Sequence, residues 1–309
     1  MKIGIGIGDA VGTGGTLDHM LERFQKAEND GFHSAWMANI FGLDAITTLA
    51  IAGRVTRSLE LGTFVVPTYP RHPAAMAQQA LTASLASGGR FILGLGLSHR
   101  IVIEDMFGLD YSKPIRHMRE YLSVLNPMLS GEPVKFSGDE YRVAAQIAVP
   151  GAPRPPLVIA ALGPQMLRVA GRMADGTATW MGGPKYLRET AIPTIQKAAE
   201  EAGRPSPRIV SGFPVAVTTS KDEAYQSAAR SFANYGQLPS YRAVLDVEGA
   251  ANPADIAIIG DEAEVRSRLK ELAETGVTDL HASAFKVNGD PDVLNRTWDF
   301  LASLARDGL

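Results

Sequence analysis

Residues 59–100, LELGTFVVPTYPRHPAAMAQQALTASLASGGRFILGLGLSHR, constrain the fold more than any other stretch of the chain. Residues 59–66 are mostly apolar and end in two valines, which suits a strand covered on both faces. Pro67 closes this strand because it has no N–H to offer a neighbour. Pro73 falls at the first position of a helix, where its missing donor costs nothing. From Pro73 to Gly89 there is no charged residue. Residues 91–95 supply a second covered strand, which runs into the polar tip Ser98-His99-Arg100. Two covered strands joined by a crossover helix form the repeating unit of a parallel α/β fold.

The same alternation recurs along the chain. Further strands are expected at 2–8, 34–37, 157–160, 176–180, 208–218 and 277–284. Gly12–Gly15 reads as a loop, Thr16 as the N-cap of a helix to Asn29, and Asp44 as the cap of an uncharged helix over 45–53. Helices are also expected at 114–129, 164–174, 184–203 and 221–235, with capping-box spacing at Ser220–Glu223 and at Asp261–Glu264. Asp290-Pro291 is the expected cap of the last helix. Three segments interrupt the pattern: about 97–115, 131–150 (read as a hairpin turning at Gly138-Asp139) and 236–256, which offers a short helix over 241–247. Eight strands in about 300 residues point to one α/β domain over 1–309, a (β/α)8 TIM barrel with insertions. Every crossover in such a barrel leaves the strands' C-terminal ends at one mouth.

Composition narrows the functional classes. With a net charge of −3, neither a nucleic-acid nor a membrane partner is expected. The absence of cysteine removes disulfides, thiolate metal sites and Cys nucleophiles together. No uncharged apolar run reaches the ~20 residues that span a bilayer, and the N-terminus enters a strand directly, so a cytoplasmic protein is expected. Gly6-Ile7-Gly8 and Gly94-Leu95-Gly96 lack the third glycine of a dinucleotide fingerprint, being followed by Val11 and His99. The six histidines include no HExxH pair, and no metal set is expected.

At the expected mouth, Leu162-Gly163-Pro164-Gln165 follows the fifth strand and starts a helix, an arrangement that suits a phosphate on free N–H groups. His99, with Glu104 close behind, can exchange a proton with a small-molecule substrate, or is simply a loop histidine. His72 reads as a cap for the Pro73 helix, and Trp36, Trp180 and Met181 as packing. The glycines of KIGIGIG mark either close approach of a ligand or tight packing at the barrel axis. The two uncharged helices, 45–53 and 74–87, would expose apolar faces on a monomer, so a homodimer is expected through them.

LGTFVVPTYPRHPAAMAQQA, SGGRFILGLGLSH and AALGPQMLRVAGRMADG together resemble the bacterial luciferase-like flavin and deazaflavin oxidoreductases over nearly the whole chain, most closely the branch that uses coenzyme F420. The resemblance implies a barrel that transfers a hydride between F420 and a small organic molecule with an activated C=C or C=O group. The alternatives are an FMN-dependent monooxygenase of the same fold, or a cofactor-binding protein without turnover. It also implies a cis peptide at Phe64–Val65 behind the cofactor ring, and phosphate contacts from the backbone of Leu162-Gly163-Pro164. The cofactor set that follows is Asn39, Thr63, Phe64, Val65, Gly96, Leu162, Gly163, Pro164, Gln165 and Met166. His99 is the preferred proton donor, with Glu104, Tyr69 and Tyr111 as substitutes. The chain departs from the family's sugar-phosphate dehydrogenases, which end strand two in Asp-His. Here Asn39 and Ile40 stand there, and His99 replaces a glutamate after strand four, so that sugar oxidation is not expected.

Overall fold

The structure, a computed structural model, describes residues 1–8 and 15–308. Of the expected Gly12–Gly15 loop, all but Gly15 lies outside the described residues. Among the described residues, eight parallel strands follow one another around a closed barrel: Lys2–Gly6, Ser34–Met37, Glu60–Thr63, Phe91–Gly96, Leu157–Ala160, Gly176–Trp180, Arg208–Val217 and Asp279–Ala284. The ring closes where the first strand pairs with the last, Ile3 opposite Leu280. Helices surround it, and the TIM barrel read from the sequence is the observed fold. No helix of the described residues is long and apolar enough to cross a membrane.

Most helix starts follow their caps. Thr16, Asp44 and His72 each accept from a backbone N–H in the first turn of Leu17–Asn29, Ala45–Val55 and Pro73–Ala86. Asp261 and Glu264 form the reciprocal box that opens Glu262–Glu274. Two expected caps fail for physical reasons. Ser220, at ψ 65°, lacks the extended backbone that aims a capping oxygen, and its side chain makes no cap bond to Lys221–Ser231. Asp290 is occupied elsewhere, by Thr218 Oγ1 at 2.7 Å and by Arg296, and the last helix, Val293–Asp307, starts after Asp292. The helix expected over 184–203 contains a π turn at Leu187–Ala191, just ahead of Pro193, which has no N–H to continue the ladder. The helix expected to reach 235 stops at Ser231, and Pro239–Glu248 forms a helix within the 236–256 segment. The expected hairpin is present as Val134–Ser137 paired with Arg142–Ala145.

Inside the barrel, Trp36 is fully buried with Ile92, Val158, Ala178 and Val210, and Phe64 and Val65 pack on this cluster. Glycine makes the room. A Cβ at Gly4 would lie 2.8 Å from Trp36 Nε1, and one at Gly62 would enter the indole ring. Gly4 thus serves packing, while Gly6 lines the cavity above.

On the flank, the helix Pro114–Leu129 buries His117 to 4% exposure. Its ring stacks on Tyr69 at 3.8 Å, and its Nε2 lies 2.9 Å from Thr68 Oγ1. Burial pulls its pKa from 6.5 down to about 4, against a partial opposing pull from Glu140 and Glu120. The folded protein holds this ring neutral, whereas the unfolded chain protonates it below about pH 6.5. Stability from this site is thus complete above 6.5 and declines as pH falls toward 4. His117→Asn should flatten that part of the Tm-versus-pH curve; an unchanged slope would assign the acid sensitivity to other groups.

Candidate functional site

The C-terminal ends of the strands open into a cavity of about 2440 Å³. Its floor is built at the end of the third strand. There the Phe64–Val65 peptide is cis, and Val66 and Pro67 rejoin the sheet beside Leu95 and Gly96. Thr63 fastens this bulge from behind: its hydroxyl donates to Gly94 O at 2.8 Å and accepts from Gly94 N at 2.7 Å. A Cβ at Gly94 would be driven into the Thr63 carbonyl oxygen, and one at Gly96 would lie 2.5 Å from Val65 Cγ2. The alternating glycines of FILGLG are therefore the seat on which the bulge rests.

Phe64 then lies over His281, with ring centroids 4.2 Å apart and planes 24° apart. Trp36 and Trp180 meet Phe64 edge-on at 6.1 and 6.4 Å. Gly212 allows this gathering, since a Cβ there would come within 2.7–2.9 Å of Trp180, His281 and Phe64. Complete burial pulls His281 down to about 3, so its imidazole is neutral. His281 and Gly212 were not singled out from the sequence. Their only signal is a glycine and a histidine within covered strands, and the barrel must close before they meet Phe64.

Of the expected proton donors, His99 and Glu104 line the cavity and Tyr69 does not. Ser98 holds the left-handed backbone, φ 59°, and its carbonyl accepts from the Tyr111 hydroxyl at 3.2 Å. The next residue, His99, faces Tyr241 at 6.1 Å, and burial lowers its pKa. Glu104 is ion-paired to Arg100 within the π turn Ile101–Met106. Tyr69 stacks on His117 and Tyr111, and burial raises its pKa. Its buried hydroxyl has no hydrogen-bond partner among the described residues.

The expected cofactor residues divide similarly. Asn39, Phe64, Val65, Gly96, Leu162, Gly163, Pro164, Gln165 and Met166 all line the cavity, whereas Thr63 stands behind the bulge. Asn39 also accepts from Ala45 N at 3.0 Å, which pins the following helix. The helix Pro164–Met173 has no side-chain cap, and the Gln165 and Met166 N–H groups belong to its open first turn. The Tyr186 hydroxyl holds the preceding loop by donating to Leu162 O. Arg168 and Lys286 line the same cavity. So does Trp180, whose buried indole N–H has no partner among the described residues.

This geometry can be set beside known proteins. The family model described as luciferase-like monooxygenase matches residues 1–279. The chain belongs to the luciferase-like monooxygenase family. Within reach of this luciferase-like chain is the 5,10-methylenetetrahydromethanopterin reductase of Methanolobus tindarius, 31% identical over 268 residues, covering 86% of this chain and 81% of that protein. The coenzyme F420 dependent tetrahydromethanopterin reductase from Methanopyrus kandleri superposes with a TM-score of 0.79 at 22% identity, covering 97% of both chains. An F420-dependent secondary alcohol dehydrogenase, solved with an F420-acetone adduct, superposes with a TM-score of 0.81 at 21% identity, covering 98% of both. At such identities the two structures speak to the shared luciferase-like barrel.

Proposed function

We propose that this luciferase-like protein is an F420-dependent oxidoreductase acting on a small organic molecule with an activated C=C or C=O group. The observation that carries the reading is one cavity joining an aromatic floor to an uncapped helix start. A cofactor with a flat ring at one end and a phosphate further along needs both. The orphaned Trp180 N–H fits the same need, because a buried donor without a partner costs about 1–3 kcal/mol unless a ligand satisfies it. The name of one relative, a protein of Mycobacterium tuberculosis that is 33% identical over 192 residues, includes the words coenzyme F420-dependent oxidoreductase and points to F420 as that ligand.

Bound F420 supplies the hydride chemistry. In this reading Phe64 and Val65 bear the ring, while the N–H groups of Gln165 and Met166, with Arg168 one turn on, receive the phosphate. A ring seated on this floor would be fixed in position, so that an acceptor beside it would lie at near-attack distance. His99 holds the proton for the acceptor. Because burial favours its neutral form, proton delivery by this route strengthens as pH falls toward its lowered pKa.

The direct test is titration of the protein with F420 and with FMN. F420 should bind, and tight FMN binding without F420 binding would replace this reading with a flavin monooxygenase. Consumption of reduced F420 with an acceptor panel separates an enzyme from a carrier. His99→Gln should lower turnover by about 10²-fold while leaving F420 affinity within a factor of about two; unchanged turnover would transfer the role to Glu104.

We also propose a homodimer through the second and third barrel helices. The solvent side of Pro73–Ala86 carries Ala75, Gln78, Gln79, Thr82 and Leu85 and no charge, with Leu85 44% exposed. Light scattering should return twice the chain mass, and a monomer at micromolar concentration would end this part of the proposal.

A further inference from the structure

Among the described residues, ten large apolar side chains are open to solvent, and seven of them stand on the loops after the second and fourth strands. Five of the seven, Ile40, Phe41, Ile101, Met106 and Phe107, line the cavity itself. Phe41 and Phe107 join the two loops edge to face, with centroids 6.3 Å apart and planes at 77°. An exposed apolar concentration of this kind marks a binding surface, and here it is continuous with the floor at Phe64–Val65.

Beside the lip itself the cations are already paired. Arg71 is paired with Asp44, and Arg100 with Glu104. Asp105, exposed on the same loop, would repel an anion. The cavity's other basic residues, Arg23, Arg168 and Lys286, stand on other segments, on the helix Leu17–Asn29 and after the fifth and eighth strands. The cavity's ~2440 Å³ exceeds the roughly 300–1,000 Å³ of a pocket for one ligand, which leaves room for an acceptor beside a bound cofactor.

We infer that the acceptor carries a bulky, uncharged apolar body that rests on the Phe41–Phe107 lip while its reactive carbon reaches the floor. This inference rests on the F420 reading of the cavity. For a fused-ring enone the reaction balances simply. The β-carbon gains a hydride from reduced F420, which is thereby oxidised, and the α-carbon gains a proton through His99, leaving the saturated ketone.

Three probes test it: 2-cyclohexen-1-one, the same ring bearing a carboxylate, and a steroidal 4-en-3-one. With reduced F420, kcat/KM should be at least tenfold higher for the steroidal enone than for either small ring. In the Phe41→Ser/Phe107→Ser variant the steroidal value should fall at least tenfold while the Kd for F420 stays unchanged. Equal handling of the small or charged probe, or an unchanged steroidal value in the variant, would overturn the inference while F420 binding still supports the cofactor reading. Equilibrium dialysis of the steroidal enone against the protein alone reads the lip even where F420 fails to bind. Binding weakened by the double substitution supports the lip, and absent binding overturns it. A variant that is monomeric where the parent is dimeric would instead assign these side chains to a second copy of the chain.

Discussion

Replacing Arg208 with methionine should destabilise the protein by about 3–5 kcal/mol. Arg208 begins the seventh strand at the end of the barrel remote from the cavity. Its Nε donates to Asp279 Oδ2 at 2.8 Å, and its Nη2 donates to Asp279 Oδ1 and, at 2.6 Å, to Glu60 Oε2. The guanidinium also lies 6.0 Å from the Trp36 ring, so it supports the interior packing from below. Asp279 is only 2% exposed. Removing the cation alone strands a buried carboxylate, which is why the expected loss far exceeds that of a surface pair. Urea unfolding of Arg208→Met measures it directly, and adding Asp279→Leu should recover much of the loss. A loss below about 1 kcal/mol would show that water relieves the orphaned charge.

The second large effect is expected at Gly94. Gly94→Ala drives a methyl into the Thr63 carbonyl oxygen, a backbone atom that cannot swing aside. Overpacking against side chains costs about 1–3 kcal/mol; against backbone the cost should reach about 3 kcal/mol or more. The sheet can relieve the clash only by moving the bulge that carries Phe64 and Val65. F420 affinity should therefore fall at least tenfold together with stability. Gly42→Ala is the control, because a Cβ there meets nothing within 4 Å. If Gly94→Ala kept both full stability and cofactor affinity, the bulge would not be seated as described.

These two sites also show how far the sequence could be read. The eight strands were legible as covered segments, several of them closed by a glycine or a capping residue, and those signals are local. The helix start at Gly163-Pro164 was legible for the same reason. In sequence the third strand runs through to Val66 with Pro67 as its stop, whereas in the structure the bulge at Phe64–Val65 splits it and Pro67 rejoins the sheet. Ser220 and Asp290 misled because spacing carries neither a ψ angle nor a competing partner such as Arg296. Thr63 and Tyr69 stood near a strand end in sequence, but nearness does not say which way a side chain faces: Thr63 is bound to Gly94, and Tyr69 lies in the stack with His117. The floor was the least legible part. Phe64, Gly212 and His281 come from the third, seventh and eighth strands and meet only through closure of the barrel. His99 could be picked out as a histidine at a strand tip, but the burial that keeps it neutral needed the walls contributed by Tyr241.

Trp36, lodged between Gly4 and Gly62, has a consequence for how this protein can change over generations. Three positions on three adjacent strands behave as one heritable unit. Adding a side chain at either glycine collides with the indole, and shrinking the indole alone leaves a cavity that costs several kcal/mol. Only concerted exchange, a smaller residue at 36 together with a larger one at 62, preserves the volume, since position 4 is also blocked by Ser34 Oγ and the Leu280 carbonyl. Lineages should therefore cross between these solutions rarely and keep whichever they inherit, while the loops around the cavity remain free to drift toward new acceptors.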